Sequence, residues 1–204
     1  MRRMAWAMAV LVLAGCGGPP PTPPSGARVD GAQCLGALAD RGTAFAREAD
    51  FRNGRGCGIA TAVSLRGNTA PLNRPVTVNC GLALALDDFE RGVMQPAARR
   101  HFGQPVTRIH HLGAYVCRGR SGNAGRLSEH AFGRAIDLYA FELADGRIVR
   151  VPDHWHDRGR RGAFLHEIAR GACGVFGVVL TPNHDADHHD HLHFDIGPWR
   201  LCGV

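Results

Sequence analysis

Ser128-Glu129-His130-Ala131-Phe132-Gly133-Arg134-Ala135-Ile136-Asp137-Leu138-Tyr139-Ala140-Phe141, read with His191-Leu192-His193-Phe194-Asp195-Ile196, decides how this chain folds around its chemistry. Side chains alternate faces along a strand. In the second stretch this puts His191, His193 and Asp195 on one face. Leu192, Phe194 and Ile196 take the other, the core face. Arg134 to Phe141 reads as another strand, with Asp137 on the face opposite Ile136 and Leu138. If the two strands lie close in one sheet, Asp137 meets His193, and His130 arrives from the turn before the first strand. Gly133 lets that turn bend tightly, because it lacks a Cβ.

Two imidazoles and a carboxylate are a ligand set for zinc, and three protein ligands leave a fourth position open to water. That is an enzyme's arrangement rather than a structural clamp. His191 and His193 share a face, so either can reach the ion. Alone, His130 reads as a surface or capping histidine; paired with Asp137 in the full motif, it reads as a ligand. A carboxylate amid Ala135, Ile136, Leu138 and Tyr139 is costly to bury unless it is paired, with Arg134 for example, or bound to metal. Non-haem iron centres also use two His and one carboxylate, though with tighter spacing than His130 to Asp137.

These residues resemble the extensin-like C-terminal domain family. Its site is similar to that of the metallopeptidase superfamily containing D-alanyl-D-alanine carboxypeptidases, lysostaphin-type endopeptidases and the Hedgehog signalling domain. The superfamily pattern, S-x-H-x-x-G-x-A-x-D with a distal H-x-H, is met by Ser128, His130, Gly133, Ala135, Asp137, His191 and His193. Tyr115-Val116-Cys117-Arg118, Ala172-Cys173-Gly174-Val175-Phe176 and Val179-Leu180-Thr181-Pro182 also look like the extensin-like family, so the resemblance runs from about Cys34 to Cys202. It implies a zinc peptidase that cuts peptide stems or cross-links of peptidoglycan. His130, Asp137 and His193 would be ligands, and His191 a catalytic residue that moves a proton or stabilises the transition state. Arg118 would lie near the substrate carbonyl; a surface ion pair is its other reading. Ser128 and Asp195 would support the ligands by hydrogen bonds, Asp195 to either histidine. Glu129 is a rival base. The same fold also admits a non-catalytic wall-binding or metal-binding role.

The first residues read as a targeting segment. Arg2 and Arg3 precede the apolar run Ala5 to Leu13, which is too short to span a bilayer as a mature helix. Leu13-Ala14-Gly15-Cys16 resembles a bacterial lipobox, which implies cleavage before Cys16 and lipidation of its thiol. An ordinary secretory signal is the alternative. Gly17, rather than Asp, follows the cysteine, which leans toward the outer membrane. Residues 16 to 29 are Pro-rich and read as a semi-rigid spacer. One domain of ordinary size, about residue 30 to 204, follows. The expected setting is therefore the bacterial envelope, periplasmic and lipid-anchored.

All 24 basic residues are Arg, and the formal charge is +6. No basic run with interleaved aromatics suggests nucleic acid. Beyond Cys16 there are six cysteines, Cys34, Cys57, Cys80, Cys117, Cys173 and Cys202. An even number in an exported chain predicts three disulfides. Thiolate zinc is disfavoured by the lack of any C-x-x-C pair. Six cysteines allow fifteen pairings, and the sequence does not choose among them.

Periodicity predicts helices over 34–50, 82–102 and 161–173, and strands over 58–65, 106–118, 175–180 and 191–196. A hairpin is expected across Asp145-Gly146. The residues 181–190 read as a polar loop, in which His184, Asp185, Asp187, His188, His189 and Asp190 suggest either solvated side chains or a second, weaker metal site. The pattern as a whole is α+β: an antiparallel sheet with flanking helices.

Overall fold

The computed structural model describes residues 31–204. Cys16 and the Pro-rich stretch after it lie outside the described residues. The chain opens with α1 (Gly31–Asp40), followed by β1 (Ala44–Arg47), β2 (Phe51–Arg52), β3 (Gly58–Ile59), β4 (Ala62–Gly67) and β5 (Pro71–Asn79). Next come α2 (Cys80–Phe89), a π-helical turn (Glu90–Met94) and α3 (Gln95–Phe102). The middle of the chain supplies β6 (Val106–Gly113), β7 (Gly119–Arg120), β8 (Asn123–Leu127), a 3-10 turn (Glu129–Phe132), β9 (Ala135–Leu143) and β10 (Ile148–Arg150). It ends with α4 (Val151–His154), α5 (Arg160–Ala172), β11 (Val178–Leu180), β12 (Leu192–Asp195) and β13 (Leu201–Gly203).

The main sheet has nine strands in the order β1-β4-β5-β6-β9-β12-β11-β13, with β10 paired to β9. The α+β expectation holds. The sheet is mostly antiparallel, but β5–β6 and β11–β13 run parallel. Helices and strands alternate along the chain.

Several local expectations change, and the strands expected over 106–118 and 175–180 are shortened to Val106–Gly113 and Val178–Leu180. The first helix stops at Asp40, because Gly42 turns the chain at φ 70° and Phe45 enters β1. The strand expected over 58–65 is broken in two at Thr61, whose φ is 50°. The predicted helix 82–102 is continuous but passes through a π turn just before Pro96. Proline cannot donate to the i−4 carbonyl and its ring crowds that group, and the wider turn relieves both. Glu90, in that turn, is 1% exposed. Its carboxylate accepts from Thr69 N and Oγ1 at 2.8 Å, Asn68 Nδ2 at 2.9 Å and Ala70 N at 3.1 Å. These bonds pin the helix to the β4–β5 turn.

Phe89 of α2 meets Phe194 of β12 at 5.1 Å between ring centres, and Phe164 of α5 meets Phe141 of β9 at 5.7 Å. The helices therefore lie on the sheet face that carries Phe194 and Phe141. His193 and Asp195 alternate with Leu192 and Phe194 and take the opposite face. Along β9 the alternation slips by one residue. His111 and His110 of β6 face Leu138 and Ala140, so Tyr139 is an extra residue, a bulge. Phe141 thereby returns to the core although it has the parity of Asp137.

Three disulfides link Cys34–Cys80, Cys57–Cys117 and Cys173–Cys202, as the even count predicted. Cys57–Cys117 ties the start of β3 to the segment following β6, next to the site.

Candidate metal centre

Asp137 and His193 face each other across β9 and β12, directly paired in register. His130 enters from the 3-10 turn before β9. Ser128 caps that turn: its Oγ accepts from His130 N at 3.4 Å. Gly133 ends it at φ 61°. A Cβ there would stand 2.6 Å from Ile59 Cδ1 and 3.0 Å from the Asn79 backbone nitrogen, so only glycine fits.

These elements bring three ligand atoms together. His193 Nδ1 is 3.0 Å from Asp137 Oδ1, His130 Nε2 is 3.3 Å from the same oxygen, and the two nitrogens are 3.2 Å apart. Tetrahedral bonds of about 2.1 Å place ligand atoms about 3.4 Å from one another. The triangle is the right size. Among the described residues this is the one His/Cys/Asp/Glu group with ligand atoms close enough together to share an ion.

Hydrogen bonds fix which nitrogen faces inward. His130 Nδ1 is 2.5 Å from the carbonyl oxygen of Ala114. A carbonyl can only accept, so Nδ1 carries the hydrogen and the Nε2 lone pair points to the site. His193 Nε2 is 3.3 Å from Asp195 Oδ2, which leaves Nδ1 for the site, and Asp195 is itself held by Gly197 N at 2.8 Å. Asp195 thus bonds His193 and not His191. Burial opposes a charge on His193, but the hydrogen bonds to Asp137 and Asp195 outweigh it and push this imidazole up to about 9. Burial also raises Asp137, yet His130 and His193 hold it well below the usual carboxylate range. The pocket favours positive charge, and a proton and a metal ion compete for the same nitrogen.

His191 stands just outside the triangle. Its Nε2 is 3.5 Å from Asp137 Oδ1, and its Nδ1 is 2.7 Å from Asp190 Oδ1. Asp190 thereby turns the Nε2 lone pair toward the site. Reading Asp190 and His188 as solvated loop side chains or part of a second, weaker metal site missed their contact with His191. The His188 ring lies 5.2 Å from His191 and 5.6 Å from His193, with Nδ1 2.6 Å from Asp185 Oδ1. Burial holds His188 below its usual value, aided by His193 and His191 and opposed by Asp185. The spacing His188-x-x-His191-x-His193 was the available signal.

Residues 32–203 match the family described as Extensin-like protein C-terminus. The chain belongs to this family. No curated protein and no solved structure matches the chain. The family match covers nearly all the described residues of this extensin-like chain and includes both halves of the site.

Two neighbours of the triangle turn out to be structural or unplaced. Glu129 is buried between Arg120 (3.0 Å) and Arg134 (2.9 Å), and these two ion pairs occupy its carboxylate. The latter contact is an ion pair by distance that lacks hydrogen-bond geometry. The same contact removes Arg134 as a partner for Asp137. Arg118 is exposed, and its side chain makes no hydrogen bond or ion pair among the described residues. It is not brought to the triangle by any contact. Among those residues no helix is long and apolar enough to cross a membrane.

Proposed function

We propose that this extensin-like protein is a zinc-dependent peptidase that hydrolyses peptide stems or cross-links of bacterial peptidoglycan. The observation that carries the reading is the convergence of His130 Nε2, Asp137 Oδ1 and His193 Nδ1, with His191 held beside them by Asp190. Three ligands of mixed nitrogen and oxygen suit zinc and leave a position for water or substrate. A zinc ion there would polarise the scissile carbonyl and bring the pKa of bound water to about 7. His191, with its Nε2 turned to the site, would take a proton there and hand it to the leaving amine, while Asp190 steadies the ring. His188, on the same side and kept neutral, would assist as a hydrogen-bonding partner of the substrate. Arg118, exposed after β6, remains available to a substrate carboxylate or developing oxyanion. The test is incubation of purified protein with isolated sacculi. New amine ends and soluble muropeptides should appear with zinc and vanish with a chelator. Release of none under any metal would leave the non-catalytic wall-binding role instead.

The location follows the same reading. Arg2, Arg3, the short apolar run and Leu13-Ala14-Gly15-Cys16 support export, lipidation at Cys16 and an envelope setting. Two or more acyl chains hold a protein at a membrane stably. Cys16→Ser should release folded, soluble protein to the periplasm, seen by fractionation. Membrane retention of that variant would refute the anchor.

A further inference from the structure

Trp199 is 48% exposed on the segment between β12 and β13. The guanidinium of Arg126 lies 5.5 Å from its ring centre and that of Arg120 lies 5.7 Å away. Both arginines belong to the hairpin formed by β7 and β8, and Arg118 stands at its base, where its carbonyl accepts from Ser128 N. Arg120 and Arg134 pair with the carboxylate of Glu129, whereas Arg126 and Arg118 have no carboxylate partner among the described residues. Both are exposed, so among the described residues their charge is not neutralised at the surface.

This patch is joined to the metal centre from two sides. Glu129 precedes the ligand His130 in the 3-10 turn. Gly197, two residues after Asp195, runs over the Glu129 side chain, where a Cβ would come within 2.6 Å of Glu129 Cδ. An exposed indole beside the unpaired guanidinium of Arg126 suits a ligand with an apolar ring face and carboxylates: the ring stacks and a carboxylate pairs in fork geometry. Trp and Arg are also the residues that most often dominate binding surfaces.

We propose that Trp199, Arg126 and Arg118 form a docking subsite for an anionic glycopeptide. A sugar ring would lie on Trp199, and the carboxylates of the attached peptide would pair with Arg126 and Arg118. The inference rests on the peptidase reading for the identity of the polymer, but its test does not need catalysis. Direct continuity with the metal centre favours the substrate polymer over a lipid surface.

Binding to purified sacculi is measured on ice by co-sedimentation, with the intact soluble chain carrying native Trp199 and Arg126, or Trp199→Ala, Trp199→Phe, Arg126→Ala or Arg126→Lys. Both alanine variants should bind about ten-fold or more weakly. The phenylalanine and lysine variants should recover much of the loss. Metal content and thermal midpoint should be unchanged, since these side chains are exposed. Sacculi whose carboxylates have been amidated should bind poorly, and binding should weaken with salt. Undiminished binding by both alanine variants, or by amidated sacculi, would overturn the proposal. So would variants that lose affinity for phosphatidylglycerol vesicles while still binding sacculi. Sacculus binding that depends on Trp199 without any hydrolysis would remove the peptidase reading and keep the docking site. Hydrolysis with KM unaltered in Trp199→Ala would do the reverse.

Discussion

Replacing His193 with alanine is expected to empty the metal site and abolish metal-dependent hydrolysis. The variant keeps only His130 and Asp137 as protein ligands, and the triangle loses the nitrogen closest to Asp137 Oδ1. Two ligands do not fix a tetrahedral ion. The loss also strands Asp195, whose Oδ2 is held against His193 Nε2. Asp137→Ala should behave alike, since its Oδ1 is the atom shared by both other contacts. Asp195→Asn should weaken metal binding only about 10–100-fold, the usual cost of losing a group that supports a ligand from behind. Metal analysis after gel filtration separates these cases. An unfolded variant is distinguished by its thermal transition: the original chain should gain stability with added zinc, whereas a folded His193→Ala chain should not. Stoichiometric tightly held metal in His193→Ala would dismiss the triangle as the metal centre.

The halves of this site were legible in sequence for different reasons. Strand alternation alone placed His193 and Asp195 together, because Leu192 and Phe194 must face the core. Register then put Asp137 opposite His193, a relation that no local pattern contains. His130 was legible through its spacing to Asp137 and through Gly133, whose left-handed backbone and lack of room for a Cβ make the turn specific. Which nitrogen faces inward was not legible. That depends on the Ala114 carbonyl and the Asp195 carboxylate, which are tertiary partners.

What stayed hidden also has physical causes. The strand Pro71–Asn79 carries Leu72, Val76 and Val78 on one face, but Pro71, Asn73 and Pro75 disguise it. Prolines are tolerated there where the ladder does not need their missing N–H, and β5 meets β6 at only one registered pair. The first helix was overextended because Phe45 and Ala49 fall at helical spacing, while Gly42 turns the chain before them. The loop 181–190 is polar in composition, and composition suggests solvation. Only folding shows Asp190 and His188 turned toward His191. The cysteine pairing needed the fold outright.

His191→Ala separates a proton carrier from a ligand. Its Nε2 is 3.5 Å from Asp137 Oδ1, yet it is not one of the three atoms that can share an ion. The variant should therefore keep its metal while hydrolysis falls about 10²–10⁴-fold, the usual cost of losing a general acid or base. Asp190→Asn tests the same assignment more gently. The amide no longer accepts as a carboxylate, so His191 is freer to turn and its imidazolium is less stabilised. Activity should fall by a smaller factor than in His191→Ala, because the ring itself is still present. Combining the two changes should add little to His191→Ala alone, since Asp190 acts through that ring. Equal metal loss in His191→Ala and His193→Ala would make His191 a ligand. Full activity in His191→Ala with metal retained would move the proton-transfer role to His188, the next imidazole along the same face, and His188→Ala would then show the collapse.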